Sequence, residues 1–398
     1  MIRISITDKS EYTRLRNGFL KKVSEYVWFD QEDIIPNWEK DLNLRKQLKK
    51  RGRTKEAAND LKKNFPELYK YLFKRDSDEI DRNKLRYLLA GPQEMPKSFG
   101  GCGEEQTMLK CLESIIAACQ LKNDVSKKTD ARECCKRIFN YDRFVKGQKE
   151  AHWLLRNLNV RVCPYCNRIY TVSLPSPEEL EKGEEFRATR ATFDHFYNKA
   201  EYPYLSLSLF NLIPSCYTCN LNKSNTAEKI VYPYDQEFGK EAVFRIIPNL
   251  SKEMCDQKRN ILSYLYGGNS EFYIKFMSNN DVYLSRDASL EQRLSDIENI
   301  DLREKIIASI GLFKLEELYK EHKQEIKDIL RNRFYFDDHY VKTQICPMIR
   351  NKKQGTLEET DIEKIVMDML FFSRIRSEEW AQRPLSKLIS DILDQISS

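Results

Sequence analysis

An α+β fold, mostly helical and arranged around a small central unit that contains β-structure, is predicted by three features of the sequence. Apolar residues recur at three- and four-residue steps toward both ends of the chain, the spacing of amphipathic helices. Between about 160 and 285 that pattern gives way to short runs bounded by turn residues, the mark of strands. Glycine and proline number 13 each in 398 residues, too few for a turn-dense all-β architecture. Hydrophobic residues at 41% and charged residues at 32% allow a core and exclude a disordered tail.

In chain order, 9–148 reads as helical, with Leu61, Phe65, Leu68, Tyr69 and Leu72 on one face, and Leu109, Leu112, Ile115, Ile116 and Cys119 on another. A breaker cluster at 90–103 predicts a loop between two helical groups. Short strands are expected at 160–162 and 169–173, flanking a cysteine turn, and a third at 191–196 after a Pro- and Glu-rich connection. Phe272, Ile274 and Phe276 alternate ahead of a turn at 278–281 and an apolar run at 282–284, which predicts a β-hairpin; 242–247 offers a further strand. Beyond 290 the chain is helical again, its longest helix carrying Leu315, Leu318, His322, Ile326 and Ile329 on one face. This divides the chain into a helical region at 1–150, a central domain at 151–235, a small β-containing segment at 236–290 and a helical region at 291–398.

The formal charge of +6 is too small to announce a nucleic-acid partner by itself. The first residues lack the profile of a signal peptide, and no apolar run approaches the ~20 residues of a membrane span, so a cytoplasmic protein without membrane association is expected. In that compartment most of the eleven cysteines are expected as thiols or metal ligands.

Four of them stand in two Cys-x-x-Cys turns, Cys163/Cys166 and Cys216/Cys219. Two intervening residues let both thiolates of a tight turn face one ion, and two such turns complete the sulfur tetrahedron, ~2.3 Å from the metal, of a closed structural zinc site. Arg161 and Arg168 flank the first turn and are expected to offset part of the thiolate charge. The spacer of 49 residues between the pairs exceeds that of a simple ribbon, so something is built inside it. Cys102, Cys111, Cys119, Cys134, Cys135, Cys255 and Cys346 show no such spacing and read as small core residues.

Inside and just after that spacer stand Asp194-His195, Asn211-Leu212, Asn220 directly after Cys219, and Lys223. With the cysteine pairs, this order resembles the HNH endonucleases (His-Me finger, ββα-metal fold) of the zinc-stapled subclass. The likeness covers about residues 160–225, a sixth of the chain, and involves ten positions. It implies a zinc-bound ββα-metal core, to which the hairpin expected from the pattern at 272–284 is a small accessory. It also implies a metal-dependent endonuclease acting on DNA, with RNA a possible substrate and His195 as general base. Asp194 and Asn220 would hold one Mg²⁺ or Mn²⁺, and Asn211 would brace the His195 loop. A histidine titrating near 6.5 can take a proton from water at neutral pH. Mg²⁺ is commonly held by few protein ligands, with water and phosphate oxygens completing its octahedron.

Asn222 and Asn225 compete with Asn220 for the second ligand, and Asn198 stands where related sequences often carry proline. Lys223 is expected either to face a substrate phosphate or to be a solvated helix lysine. His152 reads as core and His322 as a helix-face residue, while Asp337-Asp338-His339 lacks the companions of a second site. Nine basic residues against two acids between 45 and 63 form a candidate DNA contact that equally suits a solvated helix face. The long flanks resemble, in organisation alone, HNH effectors of bacterial anti-phage systems such as the Septu nuclease subunit. That likeness implies a protein partner such as an ABC- or SMC-like ATPase, or self-association. A zinc-containing nucleic-acid-binding scaffold without catalysis and an RNase toxin of the same fold are the alternatives.

Overall fold

The computed structural model describes residues 1–6, 8–40, 52–74, 77–96, 107–120, 125–146, 149–172, 191–224, 226, 229–248, 271–279, 287–336, 338–348 and 380–397. The expected connection at 174–190, the apolar run at 282–284, the basic positions 45–51, Asn225, Asp337, Cys102 and Cys255 lie outside these residues.

Helices dominate the described residues up to Asn157, and local chemistry sets their ends. Asp8 caps Lys9–Val23 by accepting from the amides of Ser10 and Glu11 at 2.7 and 2.8 Å. That helix buries Tyr12, Leu15, Phe19, Leu20 and Val23 along one stripe. Asp81 caps Arg82–Ala90 in the same way, and Gly91 ends it at φ 71. Only glycine suits this position, because a Cβ would stand 3.0 Å from the Phe210 ring. The N-terminus of Met108–Ala118 is held from a distance by Asp235, whose carboxylate accepts from the amides of Met108 and Leu109. The basic positions of helix Arg53–Asn64 are partly engaged: Arg53 lies over the Trp28 ring and Lys62 pairs with Asp78.

Two antiparallel two-stranded sheets occur among the described residues. In the first, β1 (Thr192–His195) pairs with β2 (Leu212–Ser215), placing Asp194 opposite Ile213 and His195 opposite Leu212. The helix Tyr217–Lys223 follows β2 after one residue. In the second sheet, β3 (Val243–Pro248) pairs with β4 (Phe272–Met277) over six positions. The alternating run at 272–276 thus finds its described partner in the strand expected at 242–247, across the chain from 249 to 270. Side chains close both edges. Asp391 and Gln395 of helix Ser386–Ser397 bond the β3 backbone, and Glu316 accepts from the Phe276 amide. Covering edges this way removes the open ladder that would otherwise invite further strands.

The long C-terminal helix expected from Leu315 onward is divided. Leu315–Tyr319 and Lys323–Tyr335 are α-helical, and a 3₁₀ turn, Lys320–His322, tightens the winding between them. Tertiary contacts explain the departure. Tyr319 donates its hydroxyl to the Cys166 carbonyl at 2.7 Å, and His322 accepts from Arg168 at 2.9 Å. One continuous set of buried side chains joins the N-terminal helices, the central sheet and the C-terminal helices, from Met1 to Leu393. No helix among the described residues is long and apolar enough to cross a membrane.

Candidate active site and metal centre

The two cysteine turns meet. Val162 bridges Tyr170, the Cys163 amide donates to Ile169, and Asn167 takes the left-handed conformation at φ 52, so the chain doubles back over the first pair. Cys216 caps the helix Tyr217–Lys223, its sulfur accepting from the Cys219 amide. The four sulfurs lie within 4.8 Å of one another, all buried, with Cys166 and Cys216 separated by 3.9 Å. A tetrahedron with metal–sulfur bonds of ~2.3 Å has edges of about 3.8 Å. The residues therefore fit a zinc ion, and this buried group could hold one. Of the two arginines expected beside the cluster, Arg168 directs its guanidinium to His322, over the Tyr319 ring.

β1 and the helix after β2 bring the other residues together. Successive strand residues point to opposite faces, yet Asp194 and His195 line one pocket of about 420 Å³ together with Thr192, Asn198, Lys199, Tyr141 and Asn220. The pocket wall takes all four residues of the strand, Thr192 to His195, while the Asp194 carboxylate itself is bonded to Tyr165 and Lys223 in the interior. Asn211 holds the turn after His195. Its amide accepts from the Tyr197 N–H at 2.7 Å and donates to the carbonyls of Tyr197 and Leu205 at 3.0 and 3.1 Å, fully buried. His195 places Nε2 3.0 Å from the Ser206 carbonyl, and Tyr141 meets its ring edge-on at 4.4 Å. A carbonyl cannot donate, so Nε2 carries the hydrogen and Nδ1 keeps the lone pair. Burial lowers the imidazole to about 3, so the ring is neutral at physiological pH.

Asn220 lines the pocket, whereas Asn222 does not. The helix ends at Ser224, also in the pocket wall, whose φ of 41 breaks the winding. Asn198 opens a turn, accepting from the Ala200 amide at 2.9 Å. His152 is buried in its helix, and burial lowers its pKa. His322 does more than decorate a helix face, because it joins Arg168 to Glu325.

Lys223 is neither solvated nor turned toward open space. It is 3% exposed, and its ammonium lies 3.3 and 3.2 Å from the two Asp194 oxygens and 2.7 Å from the His195 carbonyl. This corrects both surface roles expected for it: its charge is committed inside the protein. The Asp194 carboxylate also accepts from the Tyr165 hydroxyl at 2.6 Å. Burial pushes the Asp194 carboxyl above its ordinary range, and the Lys223 charge, with the bonds from Tyr165 and Lys223, pulls the other way. Removing one partner of such a pair leaves an uncompensated buried charge. Lys223→Met is accordingly expected to cost about 3–5 kcal/mol in urea unfolding, with Lys223→Met/Asp194→Asn recovering part of the loss. A single variant as stable as wild type would show that water already reaches the pair.

Sequence reasoning passed over Tyr141, Tyr165, Lys199 and Ser206. Tyr165 was visible between Cys163 and Cys166, but nothing local tells that its hydroxyl reaches Asp194. Lys199, half-exposed on the pocket rim, lies 4.9 Å from the Tyr141 ring. No family model matches the chain, and neither a curated protein nor a solved structure matches it.

Proposed function

We propose that this chain is a metal-dependent endonuclease of the HNH kind, hydrolysing phosphodiester bonds in DNA, with zinc as a structural ion. One observation carries the reading: Asp194 and His195 at the end of β1, and Asn220 on the helix started by Cys216, line the same pocket. Asp194 and Asn220 would hold one Mg²⁺ or Mn²⁺, which when bound would supply charge stabilisation for the phosphate and for the leaving 3′ oxygen. Asp194 fits that role in part. One carboxylate has about four acceptor positions, and the Tyr165 hydroxyl and the Lys223 ammonium leave some of them for a cation. His195 Nδ1 takes the proton of the attacking water while Nε2–H stays on Ser206, which holds the ring at its angle. Asn211 keeps the turn after His195 closed during this transfer. Cys219 and Asn220 are adjacent, so the sulfur cluster sets where Asn220 stands.

A second reading, a zinc-containing nucleic-acid-binding scaffold without catalysis, is favoured by one fact: Asp194 is 3% exposed and already paired with Lys223. Cleavage decides between them. The purified chain is expected to nick plasmid DNA when Mg²⁺ or Mn²⁺ is added and not in EDTA, with Asp194→Asn and Asn220→Ala losing most of the activity. RNA substrate run in parallel separates a DNase from an RNase toxin of the same fold. No metal-stimulated cleavage of either polymer, with an ABC- or SMC-like ATPase partner present or absent, would turn the assignment to the scaffold. A place in anti-phage defence, acting in the cytoplasm beside such an ATPase or through self-association, belongs to the same proposal and rests on likeness of organisation alone.

A further inference from the structure

We propose that Tyr165 is a positioning residue for the Asp194 carboxylate, linking the first cysteine turn and the C-terminal helices to the divalent-cation site. This rests on the nuclease reading above. Tyr165 lies inside the turn Cys163–Cys166, is wholly buried, and gives its only hydroxyl hydrogen to Asp194 Oδ2 at 2.6 Å. Its ring stacks on Phe313, at the end of helix Ile300–Leu312, with centroids 4.5 Å apart and planes 19° from parallel.

The turn around it is gripped from the same side of the chain. Tyr319 donates to the Cys166 carbonyl, and the Asn167 amide reaches the Trp380 carbonyl at 2.9 Å and accepts from the Lys387 N–H at 3.0 Å. A short bond to one carboxylate oxygen sets the rotation of the whole group. With Oδ2 held by Tyr165 and both oxygens within 3.3 Å of the Lys223 ammonium, the direction in which Asp194 offers its remaining lone pairs depends on Lys223 and on where Phe313, Tyr319 and the segment 380–387 hold the turn. Partners that orient a ligating side chain typically change metal affinity 10–100-fold when removed.

Tyr165→Phe deletes the hydroxyl and keeps the ring on Phe313. In the full-length, zinc-loaded chain, Mn²⁺ binding followed by electron paramagnetic resonance is expected to weaken about 10–100-fold. Zinc content should stay at the wild-type value, and the thermal midpoint should fall by no more than the few degrees that losing one buried hydrogen bond implies. Cleavage should need correspondingly more Mn²⁺ while regaining the wild-type rate at saturation, a split that a general loss of structure does not produce. Mn²⁺ binding by Tyr165→Phe equal to wild type, with binding lost in Asp194→Asn, would overturn this proposal and leave the nuclease reading intact. Equal binding by wild type and Asp194→Asn would instead remove the cation site, and both proposals with it. Should Tyr165→Phe not fold, Phe313→Leu keeps the hydroxyl but releases the ring. Weaker Mn²⁺ binding is expected there too, and unchanged binding overturns the proposal.

Discussion

Replacing His195 with alanine is expected to slow metal-dependent DNA cleavage by about 10²–10⁴-fold at neutral pH, the usual contribution of a positioned general base. In the proposed reading Nδ1 is the accepting atom. Its Nε2–H is occupied by the Ser206 carbonyl at 3.0 Å, which leaves Nδ1 unprotonated. Tyr141, edge-on at 4.4 Å, limits rotation of the ring. Burial keeps the imidazole neutral well below pH 6 but also makes it a weaker base than an ordinary histidine, so the proposed role requires the negative charge of a substrate phosphate in the pocket to raise its proton affinity.

Because the same burial makes protonation unfavourable in the folded state only, the sign of the stability effect follows. Above about pH 6.5 neither folded nor unfolded chain protonates this group. As pH falls from there toward 3, the unfolded chain takes up a proton that the folded one refuses, and stability declines. His195→Ala should remove that part of the acid sensitivity. His195→Gln separates chemistry from architecture, since its amide can still donate toward Ser206 but cannot act as a base at neutral pH. Slow cleavage by both variants, with zinc retained, supports the base. Wild-type cleavage by His195→Gln would reduce His195 to a structural role.

Substituting a zinc-site cysteine is expected to have the largest effect on folding. Cys163→Ser or Cys216→Ser should yield protein without tightly held zinc and without a cooperative thermal transition in the central region, visible as rapid proteolysis between the cysteine turns. Structural zinc in small metal-dependent folds contributes roughly 10–16 kcal/mol, comparable with or above the ~5–15 kcal/mol that separates most folded domains from their unfolded chains. The local core here is small. Two strands of four residues and a helix of seven are joined to the first turn by the four sulfurs and the Tyr165–Asp194 bond, within a core that continues into the flanking helices. Strong chelators should do the same to wild-type protein at elevated temperature. Cys111→Ser, which alters a buried thiol outside the cluster, serves as control and should keep one zinc per chain. A zinc-free Cys216→Ser protein that melts like wild type would show that packing alone holds the centre.

The two experiments bear on different links of one chain of cause. Loss of zinc should abolish cleavage because Asn220 follows Cys219 directly and the helix that carries it is capped by Cys216. Loss of His195 should leave that frame standing and stop only the proton transfer. Cleavage surviving zinc removal would break this order of dependence.

What the sequence determined by itself was local. Two Cys-x-x-Cys turns specify a sulfur cluster because two-residue spacing makes thiolates converge whatever surrounds them, and the buried four-cysteine group follows from that. The mostly helical α+β composition, the strand at Thr192–His195 and the strand at Val243–Pro248 were legible from periodicity, since side-chain direction repeats along each element. Tertiary structure alone decided what lay across long separations. It turned Lys223 inward to Asp194, 29 positions away, divided the helix beyond Leu315 so that Tyr319 and His322 could grip the first cysteine turn, and paired 243–248 with 272–277. Periodicity tells which face of an element is apolar, but a buried lysine or a phenol on a carboxylate is stable only where a distant partner repays its desolvation. Those partners are set by packing of the whole chain, and no spacing rule along the sequence encodes them.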